Sequence, residues 1–185
     1  MKERRSIYIA LENWNLFWSI EEIKEFFELW IAGFSLDYIS KHLERNSDEL
    51  ALLIIEISSK QKHFFPQRDR GIHISSPVEW TGFHNRYFSL FLKNLEEDDG
   101  YTLCFEQDMF WDRKEVLYLE KLWDNGKSLT FMEEKFQRDN YEIILLLLDR
   151  ITQGKINPRH GGIEGMWLVN AIKESSGETE KHKSA

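Results

Sequence analysis

Cationic side chains are spaced to meet an anion in two places. Lys60, Lys62, Arg68 and Arg70 fall in the turn KQKHFFPQRDRGIH, and Lys155, Arg159 and His160 fall in GKINPRHGG. Each set follows a stretch that reads as a helix, where a wing-like loop would touch backbone phosphate. The competing reading is a solvated Pro/Gly turn. Asn140 and Tyr141 open the second of those helices, and an amide and a phenol at a helix entry can reach base edges. The candidate nucleic-acid-binding residues are therefore Asn140, Tyr141, Lys155, Arg159, His160, Lys62, Arg68 and Arg70.

Catalytic chemistry finds no comparable constellation. The six His, at positions 42, 63, 73, 84, 160 and 182, lack paired metal-ligand spacing. No Gly-x4-Gly-Lys-Ser/Thr phosphate loop and no Gly-x-Ser-x-Gly elbow occur. Cys104 lies in the apolar run TLCFE and reads as a core residue rather than a nucleophile. The acidic run Glu96 to Asp99 lacks the alternate-residue spacing of a calcium loop and reads as a solvated turn. The expectation is a protein that is not an enzyme and carries no cofactor and no metal.

Charge weighs against broad electrostatic attraction to DNA. The formal net charge is −8, whereas neutralising phosphates supplies most non-specific affinity for nucleic acid. A local basic patch is compatible with that total. The longest apolar run, Ile143 to Leu148, has six residues, against the ~20 that span a bilayer, so no membrane partner is expected. A single cysteine excludes an intramolecular disulfide framework. With no signal-like N-terminus, a cytoplasmic location is expected.

The elements that would position these residues come in duplicate. Sliding the chain by 93 residues aligns 18–62 with 111–155 without a gap, and twelve of the 45 positions are identical. They are Trp18/Trp111, Glu22/Glu115, Leu29/Leu122, Trp30/Trp123, Gly33/Gly126, Ser35/Ser128, Leu36/Leu129, Arg45/Arg138, Glu49/Glu142, Leu52/Leu145, Leu53/Leu146 and Lys62/Lys155. In each copy a capping box (Ser19 with Glu22, Asp112 with Glu115) opens an amphipathic helix that a glycine closes. Ser35 and Ser128 cap a second, short helix. Asn46 with Glu49, and Asp139 with Glu142, signal a third, running to about Ser59 and Thr152.

Three short helices with a tight turn between the second and third describe a helix-turn-helix. The spacing Trp-x3-Glu, Leu-Trp-x2-Gly-x-Ser, then Arg resembles the Myb/SANT group and the GcrA-type bacterial regulators over about half of the chain. The resemblance implies a DNA-binding ancestry in which the third helix enters the major groove. The residues here depart from that pattern. SDELALLIIEISS is acidic and apolar, and NYEIILLLLDRITQ is apolar after its first two residues. A helix apolar nearly all round is a buried one. The first copy has five Lys/Arg against nine Asp/Glu, the second eight against nine, so the second is the better candidate to touch DNA.

The expected fold is mainly α, with two repeated three-helix helix-turn-helix units and short β or extended segments between and after them. Residues 1–72 form the first repeat with an N-terminal strand and basic turn. Residues 73–100 connect the repeats and include an aromatic amphipathic helix from Phe83 to Leu95. Residues 101–173 form the second repeat, and 174–185 a disordered tail. Ile7 to Leu11 and Tyr101 to Phe105 read as counterpart strands. The leading expectation is a DNA-binding, transcription-regulator-like protein; the alternative is an acidic adaptor or inhibitor that reuses the scaffold to bind a protein partner such as a nucleic-acid-processing enzyme.

Overall fold

The computed structural model describes residues 6–60, 65, 68, 72–97 and 99–159. Among these the chain is mainly α-helical, with four short strands. β1 (Ile7–Ile9) and β2 (Phe17–Trp18) precede α1 (Ile20–Ile31), α2 (Leu36–His42) and α3 (Ser47–Lys60). After α4 (Gly82–Glu97) and β3 (Tyr101–Thr102) come β4 (Phe110–Asp112), α5 (Arg113–Asp124), α6 (Leu129–Phe136) and α7 (Asn140–Thr152). The expected tail, 174–185, lies outside the described residues.

Local sequence accounts for the helix ends. Ser19 and Asp112 each form a complete capping box with the glutamate three residues on, and Ser35 and Ser128 cap α2 and α6. Gly33 and Gly126 sit at φ 88° and 74°, a left-handed conformation that glycine adopts without a Cβ penalty. There Gly33 N–H donates to Trp30 O and Phe34 N–H to Leu29 O, and Gly126 and Lys127 donate in the same way to Trp123 O and Leu122 O. This doubled bond is the Schellman ending. The α2–α3 and α6–α7 turns match as well, with Glu44 at φ 53° and Gln137 at φ 55°.

The chain divides into two compact units, with breaks between Trp14 and Asn15 and between Phe105 and Glu106. This division differs from one that assigns residues 1–72 to the first repeat. β1 pairs antiparallel with β4, with Tyr8 opposite Trp111. β2 pairs antiparallel with β3, with Trp18 opposite Tyr101. The expected counterparts Ile7–Leu11 and Tyr101–Phe105 are therefore both strands at their starts, but each completes the unit of the other copy. Bonds beyond the strands repeat the exchange: Ala10 N–H donates to Met109 O, and Leu103 N–H to Leu16 O, both at 2.9 Å.

In the unit holding α5–α7, the core gathers Ala10, Trp111, Val116, Leu119, Leu122, Trp123, Met132, Ile143, Leu146, Leu147 and Ile156. In the unit holding α1–α4 buried aliphatic residues such as Ile23, Ile39, Leu50, Leu53 and Ile57 pack with an aromatic cluster. Phe27 meets Phe88 at 4.5 Å and Phe65 at 5.7 Å between ring centroids, and Phe26 stacks on Trp30 at 5.8 Å. α4 buries Phe91 and Leu95 and sets a half-buried Phe88 against Phe27, while Phe83, Tyr87 and Leu90 of the expected amphipathic stripe are exposed. The segment 73–78 is extended but joins no strand. It is tied to the end of α1 by Ser75 N–H to Gly33 O and Val78 N–H to Ile31 O.

Candidate functional site

The basic residues after the third helices divide into two kinds. The Arg159 guanidinium lies 3.9 Å over the Trp123 ring and donates to Lys127 O at 2.7 Å and to Trp123 O. Burial pulls its pKa down, with Asp124 opposing. Arg68 lies 4.1 Å over Trp30 and donates to Ser75 Oγ, Gly33 O and His73 O. Each arginine thus fastens the segment after its third helix to the glycine turn that ends its first helix. Lys155 is exposed. Lys62, Arg70 and His160 lie outside the described residues.

Asn140 and Tyr141 are half-buried at the start of α7, where the Asp139 carboxylate accepts the Tyr141 N–H at 2.8 Å. α7 spans Asn140–Thr152, about 18 Å at 1.5 Å per residue, and Lys155 and Arg159 follow its far end. Within this unit α7 therefore separates Asn140 and Tyr141 from Lys155 and Arg159. The third helices themselves offer little surface. In α3, Glu49 through Ile54, Glu56 and Ile57 are buried, and in α7 Ile143 and Leu145 through Arg150 are buried.

Three of the twelve shared residues, the tryptophan, the arginine and the glutamate of the third helix, form a single cage in each unit, and Glu22 of the first helix joins it in the first. Arg45 lies 4.2 Å over the Trp18 ring. It donates to Glu22 at 2.8 Å, Asn15 O at 2.9 Å and Phe17 O at 2.5 Å, and Glu49 sits 3.6 Å away. Arg138 repeats this over Trp111 at 4.0 Å, with Asp108 O, Phe110 O and Glu142. Burial raises the pKa of Glu22, but the Ser19 amide and Arg45 outweigh it and hold the carboxyl below its ordinary value. Glu49 and Glu142 do not bond back to their own helix caps. They accept the Asn15 and Asp108 N–H groups instead. Repetition of Trp, Arg and the third-helix Glu in register is the signal for this cage.

A second set of polar residues holds the exchanged strands, and no motif announces it. Tyr8 donates its hydroxyl to Asp149, and Tyr101 donates to Glu56 at 3.0 Å. Glu56 also accepts the Cys104 N–H at 2.9 Å and the Lys60 ammonium at 2.9 Å. Asp149 accepts Gln153 Nε2 at 2.8 Å. Arg150 donates to Glu120 at 2.6 Å and to the Tyr8 hydroxyl at 3.0 Å. Burial raises the Asp149 pKa, and its hydrogen bonds only partly oppose this.

The exposed chemistry lies elsewhere. Phe34 stacks on Tyr38 at 4.5 Å and 18°, and Tyr38 on His42 at 6.0 Å and 15°. Over 21–44 the carboxylates Glu21, Glu25, Glu28, Asp37 and Glu44 are exposed, as are Lys24 and Lys41. Glu25 meets His42 at 2.7 Å and Asp37 meets Lys41 at 2.7 Å. Among the described residues no group of three or more His, Cys, Asp or Glu is placed to hold a metal ion, and no helix is long and apolar enough to cross a membrane. Comparison of the chain with protein-family models, curated proteins and solved structures finds no match.

Proposed function

We propose that this protein is an acidic protein-binding module on a duplicated helix-turn-helix scaffold, which presents the α1–α2 face of its first copy to a basic surface of a partner protein. One observation carries the reading. The helices that would read DNA bury most of their length, while α1 and α2 of the first copy carry exposed carboxylates and an exposed aromatic ladder whose His42 meets Glu25. A major-groove reader needs an exposed polar or basic face. An acidic face with stacked rings fits a cationic partner, because charge complementarity steers encounter and aromatic anchors hold the contact. The net charge of −8 points the same way. A nucleic-acid-binding enzyme, whose own DNA site is basic, supplies such a surface.

The second reading is DNA binding by the second copy. Its support is the half-buried Asn140 and Tyr141 at the entry of α7 and the exposed Lys155.

Two measurements separate the readings. The purified protein should give no mobility shift with random DNA fragments at low salt. It should retain a stoichiometric protein partner that a Glu25→Lys/Glu28→Lys variant and a Phe34→Ser/Tyr38→Ser variant both lose. A low-salt DNA shift that Lys155→Ala weakens overturns the protein-binding reading and favours the second.

A further inference from the structure

The exchange of strands repeats at a separation of 93 residues in the tyrosine, its carboxylate acceptor and the backbone bond that follows, while Arg150, which also binds Tyr8, has Ile57 as its counterpart. Tyr8 and Tyr101 are equivalent, and so are their acceptors Asp149 and Glu56. Leu11 and Cys104, three residues after the tyrosines, share the same left-handed φ of 57°. The Cys104 N–H reaches Glu56 at 2.9 Å, and Leu11 N–H is likewise a hydrogen-bond donor to Asp149. Each unit is thus an acceptor (a Trp-bearing strand and a buried carboxylate on the third helix) filled by a donor from the flank of the other copy.

We propose that the acceptor formed by β4 and Asp149 also takes the Ile7–Leu11 segment of a second copy of this chain, giving a strand-exchanged dimer. The donor's contacts are the same whether it comes from its own chain or from a partner, so the two forms differ mainly in association entropy and in the hinge. Domain swapping is cheap for this reason. The hinge lies at Glu12, Asn13 and Trp14, just before the break between the units. Glu12 and Asn13 are exposed, and a turn in which Trp14 N–H donates to Leu11 O at 2.9 Å folds the hinge back. Short hinge loops favour exchange between chains.

The test uses the full chain with Cys104→Ser, Ile9→Cys and Phe110→Cys. Ile9 and Phe110 are direct partners in the β1–β4 ladder, and the bonds at Ala10 and Met109 make theirs a non-hydrogen-bonded pair, the closer kind. Refolding from denaturant at low protein concentration, followed by oxidation, should give a monomer with an internal disulfide. Refolding at high concentration should give a dimer whose disulfides join two chains and which persists on a denaturing gel until reduced. Deleting Glu12 and Asn13 from the otherwise native chain should move the gel-filtration peak to dimer at every concentration. Dimers whose disulfides stay within one chain overturn the proposal. So does a monomer at all concentrations for the deletion variant and for the native chain.

Discussion

Tyr8 donates its hydroxyl to Asp149, 141 positions further along the chain, and Tyr101 makes the equivalent bond to Glu56 across 45 positions. A tyrosine on an exchanged strand thus meets a buried carboxylate on a third helix in each unit. The bond holds the strand where the ladder alone is two or three residues long.

Tyr8→Phe and Tyr101→Phe should each cost about 1.5–3 kcal/mol, the usual range for a hydrogen bond to a charged group. Urea unfolding followed by tryptophan fluorescence measures it. Tyr8→Phe should cost more, since its hydroxyl also accepts from Arg150 and Gln153, and a negligible effect of both would mean that the ladder alone holds the strands.

Arg45→Met should destabilise the protein by about 3–5 kcal/mol, because it leaves Glu22 and Glu49 without their cation in a buried setting. Arg138→Met should cost less, since the Arg138 side chain is 16% exposed against 6% for Arg45. Arg45→Lys should not restore stability, because an ammonium lacks the planar fork that reaches Asn15 O and Phe17 O together. Equilibrium denaturation of the three variants checks the order.

Gly33→Ala should be much more damaging than Gly126→Ala. A Cβ at Gly33 would stand 2.3 Å from Ser75 O, whereas a Cβ at Gly126 meets nothing within 4 Å. At Gly126 only the left-handed conformation is penalised, by about 1–2 kcal/mol. Thermal melts should show a small shift for Gly126→Ala and a collapse or failure to fold for Gly33→Ala.

Two carboxyls should impose opposite pH slopes. Asp149 has its pKa raised above the ordinary 3.8, so the folded state holds that proton more tightly than the unfolded chain. Its stabilisation is full below that value and is lost as pH rises through the raised pKa. Glu22 has its pKa lowered below the ordinary 4.5. Its stabilisation is present above that value and is lost as pH falls through the lowered pKa. Urea midpoints across the acid range should show a weaker decline with rising pH for Asp149→Asn and a weaker acid loss for Glu22→Gln. Equal slopes in both variants and the native chain would refute the assignment.

The arginines show where sequence reading reached its limit. Arg68 and Arg159 look like phosphate contacts because they follow a third helix where a wing would lie, and the competing reading leaves them in a solvated turn. Each instead lies over a tryptophan of its first helix and binds backbone carbonyls. Nothing near them in sequence announces those acceptors, since Arg159 reaches back 32 positions to Lys127. The aromatic ladder of Phe34, Tyr38 and His42 was legible in principle as a spacing of four on a short helix. Leu36 and Ile39 on the same helix are buried, and only the packed structure separates the two faces.

The sequence by itself determined the duplication, the two helix triplets, their caps and the glycines that end the first helices. These features rest on bonds between residues three to five apart, so local composition encodes them. Only the tertiary structure decided that each flanking strand completes the other copy's unit, that Tyr8 and Tyr101 pin those strands to buried carboxylates, and that the third helices bury most of their length. The two donor strands are alike and so are the two acceptors, so pattern alone fits either pairing. The choice depends on contacts between residues about a hundred positions apart, which no local period records.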